Sequence, residues 1–380
     1  MGLTLSTPRC LESTRLAPMS AAIRQVPMSS RASRRVFVLG LLTSPVSAFL
    51  LGVALVSGAS PSGWGYAVGA GVTSVGLLTY RWRRWRGLTR AGLGLLLLVM
   101  GSRLLLTERQ GLRTVRLPDG GTRFVNRLFE ERDGVLFAAR LLPFSGFFPQ
   151  EDARDLVPAM EAVFDQMHQL EGPIASPAIA TWLGLQSAEA FDAVVVPPEG
   201  VSSPKTAVVF LHGFAGNLTV YCWQMARAAR AISALTVCPS VGLMGDWWEP
   251  WGKETLERTY AWLAERGVQR VYLAGLSNGG MGASALAGQA AHPGLELRGL
   301  VLISGAQKEA VQSGLPMLLV EGKFDSRVPP RMVRDVARRA GRLATYVELD
   351  SGHFALLDRA EACEKAMSAW LLDRERGDPP

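Results

Sequence analysis

A serine stands between glycines directly after a run of strand-forming residues, in the segment 271–282, VYLAGLSNGGMG. The hydroxyl of Ser277 becomes a useful nucleophile only where the chain presents it beside a base. A strand that turns sharply into a helix holds a side chain at its apex, and small residues at Gly275 and Gly279 permit that turn. The spacing predicts a nucleophile elbow, with a glycine-rich turn that happens to contain serine as the alternative.

A serine nucleophile needs a base that takes its proton near neutral pH, and histidine is the usual choice. His353 follows the strand-like run TYVELDSG, and Asp325 follows the apolar run PMLLVEG by a few residues. A carboxylate in that position holds the imidazole in the right tautomer and stabilises its protonated form. We therefore predict that Ser277, Asp325 and His353 form a catalytic set. His212 is more typical of loop ordering, and Asp350 of loop capping.

These residues need elements that bring them together, and strand-like and helix-like runs alternate from Phe191 onward. Runs such as TAVVFLHG, ALTVCPS, VYLAGLS and GLVLISG are separated by helix-like runs such as ETLERTYAWLAERG. This alternation predicts an α/β fold with a mostly parallel sheet that is covered by helices on both faces. Ligands bind such sheets at the carboxyl ends of the strands, where Ser277 is expected to lie.

Four of these motifs make the chain resemble the α/β-hydrolase family over roughly residues 190–373. TAVVFLHGFAG resembles the HG motif beside the oxyanion hole, GLSNGG the elbow, VEGKFDSRVP the acid loop and DSGHF the histidine loop. The order Ser277, Asp325, His353 is the family order. The resemblance implies an acyl-enzyme mechanism, in which the backbone N–H groups of Phe214 and Asn278 are the expected donors to the oxyanion.

Two features of the sequence concern the substrate. The loop CPSVGLMGDWWEPWG follows a strand-like run, and we predict that Trp247 and Trp248 form the wall of an apolar pocket. Packing against the edge of the sheet is the alternative for both, and for Trp251. Only ten residues, 306–315, separate LVLISG from PMLLVEG, where many α/β-hydrolases insert a lid. The site is therefore open, or covered by the preceding connector or by the membrane.

The N-terminal part of the chain is both hydrophobic and basic. Residues 36–57 carry no charge and are numerous enough to span a bilayer, and a second uncharged run covers residues 59–80. The net charge of +7 divides into +12 for residues 1–113 and −5 for the rest. Because the basic residues flank hydrophobic runs, they indicate membrane topology and argue against nucleic-acid binding.

A third apolar run, residues 88–106, contains Arg90 and Arg103. Arginines near helix ends can extend to the interface, so this run is either a third span or an interfacial helix. Two spans place the C-terminal domain in the cytoplasm, and three place it outside. We favour three, and thus a multi-pass protein of the cell membrane with an extracytoplasmic catalytic domain.

The chain is expected to divide into three parts. Residues 1–110 contain a basic tail and two or three transmembrane helices, residues 111–190 a mixed helical connector, and residues 191–380 the catalytic domain. The connector either shields part of the site or is a structural link. The four cysteines form no CxxC pair and the four histidines are not clustered, so we expect neither a metal site nor a cofactor.

These patterns favour a membrane-anchored serine hydrolase that cleaves a carboxylic ester of a small-molecule or lipid-like substrate. Acyl transfer to an alcohol or amine is the nearest alternative, because it proceeds through the same acyl-enzyme. Peptide hydrolysis is less favoured, since the sequence has no propeller-sized domain that would select peptides. A non-catalytic hydrolase-like scaffold that binds a partner is the alternative from another class, and the complete set of three residues argues against it.

Overall fold

The computed structural model describes residues 30–82, 85–107, 111–146, 149, 155–289 and 292–377. The basic tail before residue 30 with Cys10, the arginines Arg83 and Arg84, and the acidic segment 151–154 lie outside these residues. What the sequence predicts for these residues stays a prediction. The described residues form a bundle of three long helices, followed by a sheet with helices packed around it.

Three helices precede the sheet: α1 Ser30–Ser57, α2 Pro61–Leu78 and α3 Arg86–Leu106. Helix α2 packs against both of the others. Among the described residues, Ser33–Ser57 and Arg86–Leu106 are long and apolar enough to cross a membrane, whereas the shorter, glycine-rich α2 does not meet that criterion. Leucines such as Leu42, Leu98 and Leu105 project outward and are about 70% exposed. A continuous apolar surface of this kind marks contact with a membrane or another protein.

The C-terminal domain is built on one eight-stranded sheet. The strands in chain order are β1 Arg113–Leu117, β2 Phe191–Val196, β3 Thr206–Leu211, β4 Leu235–Pro239, β5 Arg270–Leu276, β6 Glu296–Ile303, β7 Met317–Gly322 and β8 Ala344–Leu349. Their order across the sheet is β1-β2-β4-β3-β5-β6-β7-β8. Strand β2 runs antiparallel to both neighbours, and every other pair is parallel. The prediction of a mostly parallel sheet is confirmed.

Both faces of the sheet are covered, which explains its uninterrupted apolar strands. Strands β3, β4 and β7 are buried along their whole length, as expected where helices pack on two sides. One apolar cluster includes Val208 and Phe210 of β3, and the other includes Val209 and Leu211 of the same strand. Since alternate residues of a strand point to opposite faces, the two clusters lie on the two sides of the sheet.

Eleven further helices lie within the described part of the chain after β1. They are α4 Phe124–Leu128, α5 Glu131–Leu141, α6 Leu156–Glu171, α7 Pro177–Trp182, α8 Thr219–Ala229, α9 Pro250–Glu265, α10 Asn278–Leu286, α11 Glu309–Gln312, α12 Pro330–Ala340, α13 Ala355–Asp358 and α14 Ala360–Glu375. Single 3₁₀ turns cover residues 142–144, 230–232 and 341–343. In the connector, the runs RLFEERDGVLFAARLL and DLVPAMEAVFDQMHQL, whose apolar residues have helix-like spacing, contain α5 and all but the last residue of α6.

The segment 111–190, which the sequence predicts to be a helical connector, also contributes to the sheet. Its strand β1 pairs with β2 at the edge, and its helices α5 and α6 bury Leu136 and Phe164 in the core. The domain boundaries stay a prediction, but the sheet begins within this segment. The sequence of β1, RTVRL, is only five residues long and carries two arginines, so its alternation was too short to indicate a strand.

Helix α5 contacts the sheet domain through Glu131. This buried carboxylate accepts hydrogen bonds from the N–H groups of Thr219 (2.8 Å) and Val220 (3.3 Å) and from the hydroxyl of Ser176. The two N–H groups belong to the first turn of α8, whose amides have no acceptor within the helix. Burial raises the pKa of Glu131, and the hydrogen bonds oppose that shift. Glu131 therefore caps α8 from another element.

The same end of α5 binds the helical bundle. Asp133 accepts hydrogen bonds from the N–H (2.8 Å) and the hydroxyl (2.7 Å) of Ser60 in the turn between α1 and α2. Next to it, the buried Arg103 of α3 forms an ion pair with Glu130 at 3.1 Å and donates to the carbonyl of Ile174. The end of the bundle formed by the α1–α2 turn and the last turn of α3 is thus attached to the sheet domain.

A disulfide joins Cys222 of α8 to Cys238 of β4, with the Cα atoms 6.0 Å apart. Cys363 is a buried free thiol in α14. Disulfides form and persist mainly in oxidising compartments. The structure thereby supplies a pairing that the cysteine spacing alone did not reveal.

Candidate active site

Ser277 lies at a sharp turn between β5 and α10. Its φ of 55° and ψ of −120° are a combination that residues with a side chain rarely adopt. A Cβ on Gly275 would lie 2.2 Å from the carbonyl oxygen of Gly279, and a Cβ on Gly279 would lie 1.9 Å from that of Leu211. No side chain fits at either position. The two glycines of GLSNGG therefore permit the close contacts that hold the serine at the apex.

His353 and Asp325 are brought to this serine from the ends of other strands. His353, in the loop after β8, places Nε2 3.0 Å from the Oγ of Ser277. Its Nδ1 is 2.8 Å from Oδ2 of Asp325, which lies in the loop after β7. Because a carboxylate only accepts, Nδ1 carries the proton and Nε2 is left to accept from the serine hydroxyl. The three residues selected from the sequence thus form one continuous hydrogen-bonded chain.

The side chain of Asp325 is fully buried. Burial alone would raise the pKa of Asp325, but hydrogen bonds from His353, Glu321 and the Val328 N–H together hold this pKa below its ordinary value. Its Oδ1 accepts from the N–H groups of Arg327 and Val328, each at 2.8 Å. The carboxylate therefore stays ionised at neutral pH, as needed to stabilise a protonated histidine.

Glu321 of β7 is a second carboxyl group behind Asp325, and the sequence reasoning did not select it. It is completely buried, and burial, with the nearby negative charge of Asp325, raises the pKa of Glu321 far above its ordinary value. The two carboxyl groups share a hydrogen bond, and no donor among the described residues reaches Glu321 Oε2. Since Asp325 already accepts from three N–H groups, the shared proton belongs to Glu321. The available signal was a glutamate inside the apolar strand MLLVEG.

His212 organises the loop after β3 that contains the HG motif. Its Nδ1 lies 2.8 Å from the carbonyl oxygen of Gly213, and its Nε2 accepts from the N–H of Val241 at 3.1 Å. Burial lowers the pKa of His212 to about 4, so the imidazole is neutral at physiological pH. Both nitrogens are engaged with the backbone, in agreement with the loop-ordering interpretation.

The two residues predicted to supply oxyanion donors flank Ser277. A Cβ on Gly213, the residue before Phe214, would lie 3.1 Å from the Cβ of Ser277 and 3.6 Å from the amide nitrogen of Asn278. Asn278 begins α10, where the backbone N–H groups have no acceptor within the helix. Its side-chain amide donates a hydrogen bond to the carbonyl of Met244. The HG loop and the helix start thus pack against the serine. The donor function of their N–H groups stays a prediction.

The prediction that Trp247 and Trp248 line the substrate pocket is wrong. Trp247 is 0% exposed, and its indole N–H donates to the carbonyl of His212 at 2.8 Å. Its Cβ fills the space that a side chain at Gly282 would need. Trp248 and Trp251 are exposed on the surface. Trp247 is thus a core residue that packs against the HG loop, whereas Leu243 of the same loop lines the cavity at Ser277.

A cavity of about 440 Å³, called here the site cavity, opens at Ser277 and His353. Its walls are mostly apolar side chains, among them Val135, Leu142, Met160, Trp182, Tyr221 and Phe354. Four of these six lie in the segment 111–190. Of the three alternatives that the sequence left for covering the site, the connector is therefore the one that the structure shows. Its periodic apolar residues predicted helices but did not indicate which surface those helices cover.

The chain is similar in structure to several hydrolases of known structure. They include Est1E from Butyrivibrio proteoclasticus, with a TM-score of 0.42 and 15% identity over 49% of this chain and 95% of that one. A thermostable esterase from Pseudomonas putida has a TM-score of 0.40 and 17% identity over 48% and 80% of the two chains. No protein-family profile matches the sequence, and neither does any curated protein. Similarities this distant give no information about the reaction.

The assignment of the fold rests on the chain itself. The strand order, the antiparallel β2 and the elbow after β5 agree with the four motifs in the sequence. The acid follows β7 and the histidine follows β8, in the order Ser, Asp, His that characterises this architecture. The C-terminal part of this chain has the α/β-hydrolase fold.

Proposed function

We propose that this protein is a membrane-anchored serine hydrolase that cleaves a carboxylic ester through an acyl-enzyme. The observation that carries the proposal is the chain of two hydrogen bonds, 3.0 Å from Ser277 to His353 and 2.8 Å from His353 to Asp325. The strained backbone at the serine and the apolar cavity in front of it support the same conclusion.

In the first half of the reaction, Ser277 Oγ attacks the carbonyl carbon of the ester while His353 Nε2 takes the hydroxyl proton. Asp325, which stays ionised, stabilises the imidazolium that forms. The bond between the carbonyl carbon and the alkoxy oxygen then breaks, and His353 returns the proton to that oxygen. The alcohol leaves, and the acyl group remains on the serine.

The tetrahedral intermediate carries a negative oxygen that needs donors already in place. We assign this role to the backbone N–H groups of Phe214 and Asn278, which flank the serine. Loss of one such donor typically costs about 3 kcal/mol of transition-state stabilisation. Because these donors belong to the main chain, their contribution depends on the position of the HG loop, which His212 fixes.

In the second half, water takes the place of the alcohol. His353 removes a proton from the water, the hydroxide oxygen attacks the acyl carbon, and Ser277 leaves with the proton returned by His353. An alcohol or amine that entered instead of water would give acyl transfer through the same steps. Analysis of the products formed in the presence of an added alcohol distinguishes hydrolysis from acyl transfer.

Helices α1 and α3 cross the membrane in this proposal, and α2 completes a three-helix anchor within residues 1–110. Basic residues lie at the end of the bundle remote from the hydrolase domain: Arg31, Arg34, Arg35, Arg81, Arg86 and Arg90. Positive residues favour the cytoplasmic side, which leaves the catalytic domain outside the cytoplasm. The disulfide between Cys222 and Cys238 agrees with an oxidising compartment.

The test is labelling of the full-length protein with a fluorophosphonate, followed by peptide mass spectrometry. We expect one phosphonylated residue, Ser277, and no labelling of Ser277→Ala protein with the same melting behaviour. A series of p-nitrophenyl esters of increasing acyl length then defines the substrate range, with an added alcohol to reveal transfer. Hydrolysis by Ser277→Ala at the parent rate would reject the proposed function and favour the scaffold interpretation.

A further inference from the structure

A second cavity, called here the membrane-side cavity, lies between the helical bundle and the hydrolase domain. It has a volume of about 360 Å³, and α1 contributes Phe49, Leu50 and Val53 to its walls, while α5 contributes Phe137. The same cavity extends to Leu183, just after α7. Its walls are predominantly apolar. The cavity thus lies between α1 of the anchor and the helices α5 and α7, which also line the site cavity.

The two cavities have a common wall that consists of Gly134 and Trp182. The indole N–H of Trp182 donates to the carbonyl of Ala215, next to Phe214 in the HG loop, at 2.9 Å. A Cβ on Gly134 would lie 3.0 Å from the indole ring. Glycine within a helix is less stable than alanine, and the close approach of this ring gives a reason for its presence. Gly134 and the indole of Trp182 therefore lie at the border between the membrane-side cavity and the site cavity.

The position of the membrane-side cavity along the anchor places it within a bilayer leaflet. Phe49 lies eight residues before the end of α1 at Ser57, which corresponds to about 12 Å along a helix. Half of a hydrocarbon core is about 15 Å thick. With the α1–α2 turn at the interface, Phe49 and Val53 lie at the depth of the acyl chains in the leaflet on the side of the catalytic domain.

Several of the apolar side chains that line the membrane-side cavity are exposed at the surface. Phe49 and Leu183 line it and are 61% and 59% exposed, and Phe129 on its edge is 41% exposed. Large apolar side chains at a surface are unfavourable in water and favourable beside lipid. Polar groups lie at the other border, where Asp133 binds Ser60 in the turn. The membrane-side cavity therefore has an apolar border toward the lipid and a polar border toward the interface.

We propose that the substrate is an amphiphilic long-chain ester that resides in the membrane, and that its acyl chain reaches Ser277 from the bilayer. The ester group binds in the site cavity, while the chain passes between α5 and α7, beside Gly134 and Trp182, and ends in the membrane-side cavity. This inference rests on the proposed function. It adds the substrate class and the route of entry, since the acyl chain need never cross water between the leaflet and the serine.

The first experiment obstructs the membrane-side cavity at positions that are remote from the triad. Val53→Trp and Leu50→Trp add bulk to its walls, and Leu55→Trp makes the same addition on the same helix at a residue that is 63% exposed. Full-length variants in phosphatidylcholine vesicles are assayed with p-nitrophenyl acetate, which is soluble, and p-nitrophenyl palmitate, which partitions into the bilayer. Fluorophosphonate labelling of Ser277 reports whether each variant is folded.

We expect Val53→Trp and Leu50→Trp to lower kcat/KM for the palmitate ester about tenfold or more, in keeping with the usual effect of misfit in an apolar pocket. The acetate ester and the Leu55→Trp control should change less than about twofold. Unchanged palmitate hydrolysis in both obstructed variants, or an equal loss for the two esters, would overturn the inference. A parent protein that cleaves acetate and not palmitate refutes the entry route alone, whereas one that cleaves neither ester refutes the proposed function.

The second experiment needs no substitution. A hexadecyl fluorophosphonate with a diazirine at the chain terminus reacts with Ser277, whose oxygen bonds to phosphorus as fluoride leaves, and light then cross-links the far end of the chain. The expected cross-links lie on α1 between Phe49 and Ala54, or on Phe137 of α5. Cross-links at Leu243, on another border of the site cavity, would show that the chain leaves by a different route and would overturn the inference.

Discussion

Replacement of Glu321 tests whether the carboxyl group behind Asp325 acts as a neutral hydrogen-bond donor. Glu321→Gln keeps a neutral side chain of the same length, whose amide can donate to Asp325. Glu321→Leu has a similar volume but no donor. Glu321 lies within the fully buried strand β7 and does not line the site cavity. Either change therefore acts on substrate turnover through Asp325 and His353.

The size of the effect follows from the bonds that Asp325 accepts. A hydrogen bond to a charged group contributes about 1.5–3 kcal/mol, and each 1.36 kcal/mol corresponds to a factor of ten in rate. Part of that stabilisation is present before the reaction and part appears as the imidazolium forms. We expect Glu321→Leu to lower kcat about tenfold to a hundredfold, and Glu321→Gln to lower it less than about threefold, with KM unchanged in both.

Stability against pH gives a second measurement with a definite sign. Burial and the charge of Asp325 raise the pKa of Glu321, so the folded protein keeps a proton that the unfolded chain releases above about pH 4.5. The stability from this group is complete below that pH and is lost as pH rises toward the folded pKa. Glutamine has no proton to lose. The Tm of Glu321→Gln should therefore exceed that of the parent by a margin that grows from mildly acidic to alkaline pH.

Two results would refute this reasoning. If Glu321→Gln lost as much activity as Glu321→Leu, a negative charge at this position would be required. If Glu321→Leu turned over at the parent rate, Asp325 would not depend on the donor. Labelling of Ser277 by fluorophosphonate in each variant excludes the trivial case of unfolding.

The other predictions address the triad, the core, the connector and the topology. Asp325→Asn should lower kcat about 10⁴-fold, because an amide no longer fixes the tautomer of the histidine. Trp247→Phe should lower Tm without changing the preference for acyl length, since the indole is buried and its N–H is hydrogen-bonded. Glu131→Ala should lower the free energy of unfolding by about 3 kcal/mol, because two N–H groups of α8 stay buried without an acceptor. A reporter fused after Arg86 should be cytoplasmic, and one fused after Gly111 extracytoplasmic, because α3 crosses the membrane in the proposed topology.

Each of these predictions has a matched control. Asp325→Asn protein should melt like the parent, and a residual rate near that of the parent would contradict the assigned role. Trp248→Phe, an exposed position, should leave Tm unchanged, and a shifted acyl preference in Trp247→Phe would return that residue to the pocket. Glu131→Gln keeps an acceptor and should be more stable than Glu131→Ala. Cytoplasmic reporters at both fusion points would leave α3 on the membrane surface.

The predicted site residues that the structure brings together are those whose positions depend on local sterics and on the ends of strands. GLSNGG could be interpreted because glycine alone fits the contacts around Gly275 and Gly279. Asp325 and His353 could be selected because each follows a strand-like run, and the carboxyl ends of parallel strands meet at one edge. The tryptophans failed for the opposite reason. An aromatic-rich loop after a strand looks the same whether it faces a cavity or fills the core, and only tertiary packing decides that Trp247 is buried.

The same limit applies to the connector. The spacing in α5 and α6 predicted amphipathic helices, but hydrophobic periodicity indicates that a face is buried and not what buries it. Strand β1 was missed because five residues with two arginines form too short a pattern. Glu321 was missed because its role depends on a partner in three dimensions. In the anchor, the glycine-rich α2 falls short of the criterion that α1 and α3 meet, although it packs between them.

Helix α5 contacts both the anchor and the elements around Ser277. Three residues of its first turn make these contacts. Glu131 caps the helix that follows the HG loop, Asp133 binds the turn between α1 and α2, and Gly134 admits the indole of Trp182 into the wall between the two cavities. A displacement of the anchor relative to the sheet would act on all three contacts together. In the two proposals, the bilayer is both the solvent of the anchor and the compartment from which an acyl chain reaches Ser277. An anchor that served only to tether the domain would not require these three contacts to lie on one turn of the helix that lines the site cavity.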